Sequence, residues 1–401
     1  MRRRRSKVSY YPARRGSRSR PERPQTSAAP SSLIARKPGL LAVIVALAVA
    51  GGVIVGIKVG AGSTPVHLSA GDAPSASASA SADPSDSASA DPSASAAPSD
   101  SAAPQPSDSA AAPPTGPSPD DFVNIRQVTT RVQTPRPGQN ASRGSFVSRC
   151  GTNANGHNNP DNFIVTPGVP NGAHHQHDYV GNVSTDNTST DQSLAAAGTT
   201  CGRGDKSAYF WPVLRSLANA AGQSGQDGNV GTILRPTAAT IQFRGNAQGK
   251  VVAMPQFLRI VTGNAHAFTQ NGTNAKASWS CTGFTNRTSG DKYPLCPRGS
   301  QVVRTLDFPS CWDGQNTDSA NHRTHVVFPD AASGACPAGT KAIPQLRFRL
   351  TYRVPSGPSF AVDSFPEEIH KPITDHGDFE NVMPTRLMNM VVSCINRNRN
   401  C

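Results

Sequence analysis

The sequence has no cysteine before Cys150, no lysine or arginine from residue 59 to 121, no C-x-x-C pair, and no G-x-S-x-G turn ahead of a helical pattern. It is also poor in hydrophobic residues, 36% of 401, and in aromatics, 6%, while glycine and proline each occur 35 times. On size alone the chain could hold two or three domains, but the apolar deficit excludes a packed core along its whole length. Part of it is expected to be unfolded. The lack of C-x-x-C argues against a zinc ribbon, and the lack of a nucleophile elbow argues against a serine hydrolase of that type.

Charge is distributed unevenly. Residues 1–58 carry thirteen Lys and Arg against one acid, Glu22; residues 59–121 carry eight aspartates; residues 122–401 carry 26 basic and 17 acidic residues. The total of +13 is therefore mostly the property of the head, and no nucleic acid is expected as a partner of the folded part. Three regions with different physics precede or form the C-terminal domain.

Gly39 to Ile57 is a 19-residue run without a charged side chain. As a helix it is about 28 Å long, close to the roughly 30 Å hydrocarbon core of a bilayer. The spacing predicts a transmembrane signal anchor over 39–58, with residues 1–38 as a cytoplasmic Arg-rich tail that sets topology by the positive-inside rule. A cleaved signal peptide is the alternative, although its apolar region is usually shorter and its lead shorter than 38 residues. Residues 59–121, almost entirely Ser, Ala, Pro and Asp, cannot bury enough apolar surface to offset ordering entropy and read as a disordered, extended stalk. The expected partner of 39–57 is the membrane, and residues 122–401 are expected outside the cell.

All eight cysteines, Cys150, Cys201, Cys281, Cys296, Cys311, Cys336, Cys394 and Cys401, lie in that last region. An even count on the exported side reads as a disulfide framework. Eight cysteines allow about 105 pairings, but loop closure favours sequence neighbours: Cys150 with Cys201, Cys281 with Cys296, Cys311 with Cys336, Cys394 with Cys401. Short apolar or alternating runs at 237–243, 251–257, 302–308, 324–328 and 346–354 predict strands. In the last, LRFRLTYRV, one face carries Leu346, Phe348, Leu350, Tyr352 and Val354, the other Arg347, Arg349, Thr351 and Arg353. Short helices are expected within 207–221 and at 384–396. The fold class expected is mainly β, sandwich-like, or α+β: one disulfide-rich domain with long loops.

Three stretches carry candidate chemistry. The first supplies His175, His177 and Asp178; the second, Ser310–Pro329, supplies Trp312, Asp313, Asp318, His322 and His325; the third supplies His376, Asp378 and Glu380. Imidazoles two apart share one face of an extended segment, and a third from elsewhere completes a way to hold zinc or copper. The expected ligands are His175, His177 and His325, with Asp178 or Asp378 beside them. A metal-free hydrolase is the second reading. His177, Asp178, His325 and Asp378 would then be catalytic, or a carboxylate pair drawn from Asp313, Asp318, Asp378 and Glu380 would stand about 5 to 9.5 Å apart as in glycosidases. Trp211 and Trp312, with Asp313, would bind a sugar face of a cell-wall polysaccharide. The third reading is a non-catalytic envelope- or carbohydrate-binding module.

The segments PGVPNGAHHQHDYVGN, CGRGDKSAYFWPVL, SCWDGQNTDSANHRTHVVFP, CPAGTKAIPQLRFRLTYRV and DHGDFENVMPTRLMNMVVSC together resemble, in this order, the domain-of-unknown-function family numbered nineteen ninety-six, a group of secreted bacterial and fungal proteins. The resemblance runs roughly from Asp161 to Cys394. It implies a secreted context and brings no agreed activity. One departure is plain: where the family pattern often continues D-F-x-N-G-W, Asn381 is followed here by Val382 and Met383.

Overall fold

The computed structural model describes residues 116–401. The Arg-rich tail, the apolar run 39–57 and almost all of the stalk lie outside the described residues. Among the described residues no helix is long and apolar enough to cross a membrane.

Ten strands build two five-stranded sheets: β1 (Ser145–Ser148), β2 (Asn158–Asn159), β3 (His177–Gly181), β4 (Ala208–Pro212), β5 (Ala238–Arg244), β6 (Arg259–Gly263), β7 (Trp279–Cys281), β8 (Val302–Asp307), β9 (Gln345–Tyr352) and β10 (His376–Glu380). The first sheet runs β7-β8-β9-β5-β1 and the second β2-β3-β4-β10-β6, every pairing within them antiparallel. Further short strands form small sheets at the periphery. The architecture is mainly β, as the alternating runs predict.

Period-2 alternation decides what lies between the sheets. From the first sheet Phe243, Leu306 and Phe348 turn inward, and from the second Tyr209, Trp211 and Phe379; all six are fully buried. Their rings interlock, with Phe348 centred 4.7 Å from Phe308, 5.4 Å from Trp211 and 6.0 Å from Tyr209. The sheets approach closely enough that a Cβ added at Gly377 on β10 would lie 3.1 Å from Leu306. Each fully buried aromatic or aliphatic side chain here contributes on the order of 1.5 to 3 kcal/mol.

The second sheet is covered on its other face too. Phe163, Ile164, Leu194 and Val382 pack there against Tyr179, Phe210 and Val261. Leu194 comes from α1 (Asp191–Ala196), whose Thr190 side chain accepts a hydrogen bond from the Ser193 amide as a cap. A longer helix, α2 (Thr385–Asn396), buries Leu387, Met388, Val391 and Ile395, a stripe at the helical period. Val382 and Met383, which depart from the family pattern, are both core residues.

Two expected elements take other forms. The stretch 207–221 is not helical: it forms β4 and a short strand, Leu214–Ser216. Its apolar run is buried on both faces, and a continuous run reads the same for a helix turn and a doubly covered strand. The stretch 251–257 has no regular structure, yet Val251 and Met254 still anchor it in the core. The disulfides join Cys150 to Cys201, Cys281 to Cys296, Cys311 to Cys336 and Cys394 to Cys401, the neighbour pairs favoured by loop closure.

One charge crosses the interface between the sheets. Arg304 on β8 is fully buried. Its guanidinium binds Asp375 through Nε, at 3.1 Å, and Nη2. Nη1 donates to the Pro212 carbonyl at 2.9 Å, and the Trp279 and Tyr352 rings flank the group at 5.3 and 5.6 Å. Desolvation is offset by the bidentate contact. Arg304→Met therefore leaves Asp375 buried and unpaired and should cost about 3 to 5 kcal/mol in chemical denaturation, whereas Arg304→Met with Asp375→Leu should recover most of it. Equal losses in the single and double variants would show that packing at Arg304, and not charge pairing, carries the stability.

Candidate functional site

Three histidines converge above the second sheet. His177 opens β3, His376 opens β10, and His175 stands two residues before His177 on the incoming loop. Their exposures are 3% for His175, 0% for His177 and 7% for His376. Nε2 of His175 is 3.2 Å from Nε2 of His177 and 3.2 Å from Nε2 of His376, and the three ligand atoms lie within 4.8 Å of one another.

Backbone carbonyls set the tautomers. His177 Nδ1 donates to the Asp161 carbonyl at 3.1 Å and His376 Nδ1 to the Thr374 carbonyl at 2.8 Å. A carbonyl can only accept, so each of these rings presents a lone pair at Nε2. Burial, then neighbouring histidines, holds His175 and His177 well below the usual imidazole range, and burial pulls His376 down to about 4. His175 Nδ1, near the Ala173 carbonyl, makes no hydrogen bond of normal geometry. Neutral His175 has at most one proton to offer at Nε2, so at least one of its two N···N contacts sets lone pair against lone pair. A cation between the nitrogens removes that conflict. Ligands about 2.0 to 2.1 Å from a tetrahedral metal stand roughly 3.3 Å apart, close to the separations seen.

The loop over the sheet is organised by Asp161. Its carboxylate accepts from the Asn171 and Asn187 amides at 2.8 and 3.0 Å, and its carbonyl also takes the Tyr179 hydroxyl at 2.6 Å. Gly263 on β6 faces His376 with φ of +75°, and a Cβ there would stand 2.3 Å from the Asp375 carbonyl. Only glycine permits that approach.

A cavity of about 360 Å³ opens onto the site, lined by His175, His376, Asp378, Arg323, Asn162 and Phe365 among others. Asp378 shares the face of His376 two residues on, and its buried Oδ2 has no hydrogen-bond partner. Burial pushes its carboxyl up to about 7, against the pull of Arg323 and the Asn162 amide. Arg323 is tethered by one contact, Nη2 to the Gly263 carbonyl at 2.8 Å. Phe365 packs its ring 5.4 Å from His175 and 4.1 Å from His266.

Of the residues expected from sequence, the structure brings together His175, His177 and Asp378. His325 is elsewhere: its Nε2 bonds the Arg259 carbonyl at 2.6 Å and its Nδ1 the Ser319 hydroxyl at 2.9 Å. The third histidine is His376. Asp178 alternates to the opposite face of β3 from His177, where Asn153 and Asn158 donate to it at 2.8 and 2.9 Å, so it does not flank a metal. Trp211 is fully buried between the sheets and donates to the Tyr352 hydroxyl at 3.0 Å, which closes it to a sugar. Trp312 donates to the Asn316 carbonyl at 2.7 Å. Asp313 holds the same turn through the Gln315 and Asn316 amides, each at 2.9 Å. Neither lines the histidine cavity.

Glu380 pairs with Arg259 through Oε2 at 3.0 Å, its buried Oε1 being without a partner, and Asp318 pairs with His322 at 2.9 Å; neither lines the histidine cavity. Asp378 is thus the single carboxylate on the cavity lining, and a glycosidase-type pair is not assembled there. Sequence reasoning passed over Arg323, Asn162, Phe365 and Asp161. It had a signal for His376 in the alternation of HGDFE, which sets His376 and Asp378 on one face.

Zinc added to metal-stripped protein should bind at one equivalent by elemental analysis. His376→Ala should lose it and His325→Ala should keep it; the reverse pattern would restore the sequence-based ligand set.

No curated protein and no solved structure matches the chain. Residues 162–381, more than half of the chain, match the family described as domain of unknown function (DUF1996), and this span holds all three histidines, Asp378 and Arg323. The chain belongs to this family.

Proposed function

We propose that the domain is a metal-dependent hydrolase acting outside the cell on a polysaccharide of the envelope or surroundings, carried on a membrane anchor at 39–57 and a stalk at 59–121. The observation that carries the reading is the convergence of three neutral imidazole nitrogens beside a cavity that Asp378 lines, with one carboxylate oxygen unpartnered. His175, His177 and His376 would hold zinc or copper, both suited to an all-imidazole donor set. A metal so held would supply a Lewis acid able to activate a water. Asp378, whose Oδ2 is free, would take the proton of the attacking water and return it to the departing sugar oxygen as the glycosidic C–O bond breaks, and Arg323 would face the negative charge that develops on that oxygen. The cavity volume lies in the range of small-ligand sites. Four disulfides support an oxidising, exported setting.

The burial of the three histidines favours a second reading, a metal that braces the loop of a carbohydrate-binding module without turnover. The two part on one comparison. Incubated with cell-wall polysaccharides, the zinc-loaded protein should release reducing ends. Asp378→Asn should keep the metal and lose at least about a hundredfold in rate. Metal retained and polysaccharide bound with no release of ends from the unaltered protein would select the second reading.

A further inference from the structure

The alternating run that forms β9 turns Arg347 and Arg349 away from the core, and the histidine site uses neither. They belong to the outer face of the first sheet. There β1, β5, β8 and β9 floor a groove of about 740 Å³, bounded by segments 133–144 and 328–334. The groove lies on the opposite outer face of the sandwich from the three histidines.

Its charges do not cancel. Asp307 takes Arg347 through Nε and Nη2, each at 2.6 Å, and Arg244 through Nη2 at 2.9 Å. One carboxylate thus serves two guanidinium groups, with Arg349 following on the same face. Nη2 of Arg244 reaches Gln345 Oε1 at 2.6 Å, while its buried Nε has no partner. Burial, with repulsion from Arg347 and Arg349, pulls Arg244 down to about 10 despite Asp307. Lys276 adds a further cation to the wall and makes no ion pair among the described residues. The other lining acid, Asp330, accepts the amide and hydroxyl of Ser333 on one oxygen at 2.8 and 2.6 Å; with Arg143 also on the lining, four cations face two carboxylates. Donors to an anion are therefore left over, beside amides and hydroxyls suited to sugar hydroxyls.

Phe328 is the one aromatic residue on the lining, and Lys276 Nζ lies 4.5 Å over its ring. A groove for single-stranded nucleic acid presents a series of open rings for stacking bases. This one does not.

We propose that the groove binds an acidic polysaccharide, its carboxylates or phosphodiesters taken by Arg244, Arg347 and Lys276 and its hydroxyls by Gln242 and Thr305. The site stands apart from the hydrolytic reading and survives its failure. The test uses the full chain in detergent, with polygalacturonate, poly(ribitol phosphate), neutral dextran and a single-stranded oligonucleotide as probes. One or both acidic polymers should bind, identifying the anion, and the affinity should fall as salt rises. Lys276→Gln with Arg347→Gln should weaken binding at least about tenfold. Lys276→Gln alone should weaken it with an unchanged melting temperature, and His376→Ala should leave it intact. Binding of neither acidic polymer, equal retention of dextran, tighter binding of the oligonucleotide, or indifference to Lys276→Gln would overturn the proposal.

Discussion

The buried pair between Arg304 and Asp375 ties the architecture to the site. Arg304 belongs to the first sheet, while Asp375 directly precedes His376 at the start of β10 in the second. The contact that docks one sheet on the other therefore also fixes where the third histidine begins. The segment leading into it is held at further points: Trp279 Nε1 donates to the Pro372 carbonyl at 2.8 Å and the Tyr293 hydroxyl to the His370 carbonyl at 2.7 Å. Two buried side chains, Trp279 from the first sheet and Tyr293 from a small neighbouring sheet, thus position the backbone that carries a candidate ligand. A charge pair of this kind contributes little to net stability compared with an apolar substitute.

The imidazoles are oriented mainly by backbone. Two of the three receive their tautomer from a carbonyl, Asp161 or Thr374, and both carbonyls belong to loops tightened by other contacts. The Asp161 carboxylate closes its loop through two amides, and the Thr374 hydroxyl bonds the Lys371 carbonyl at 2.7 Å. Rigid loops on a sandwich supply placement that a free loop would lose to side-chain and backbone entropy. The candidate site accordingly joins two strand starts, at His177 and His376, to the loop that carries His175.

Much of the fold was legible because the patterns were physical. LRFRLTYRV alternates as a half-buried strand must, and becomes β9; the cysteine neighbours pair because short loops close at the lowest entropy cost. AYFWP was not legible, since a strand covered on both faces loses its alternation. At the site, the pair His175 and His177 was readable from spacing alone. The partner was not: His325 leads into Val326-Val327-Phe328 and His376 into Gly377-Asp378-Phe379, and only the sheet order β3-β4-β10 decides that His376 faces the pair. Asp178 was misassigned for a simpler reason. Adjacency to His177 in sequence means the opposite face in a strand. Trp211 and Trp312 stood out as aromatics, but composition does not distinguish a core ring or a turn-bracing ring from a sugar platform.

The central claim is that three imidazoles from β3, its preceding loop and β10 share one metal ion. X-ray absorption at the zinc edge of the metal-loaded protein tests it most directly. The account predicts nitrogen neighbours about 2.0 to 2.1 Å from the metal with outer-shell scattering from three histidine rings. A spectrum showing sulfur ligands, or one or no imidazole, would contradict it.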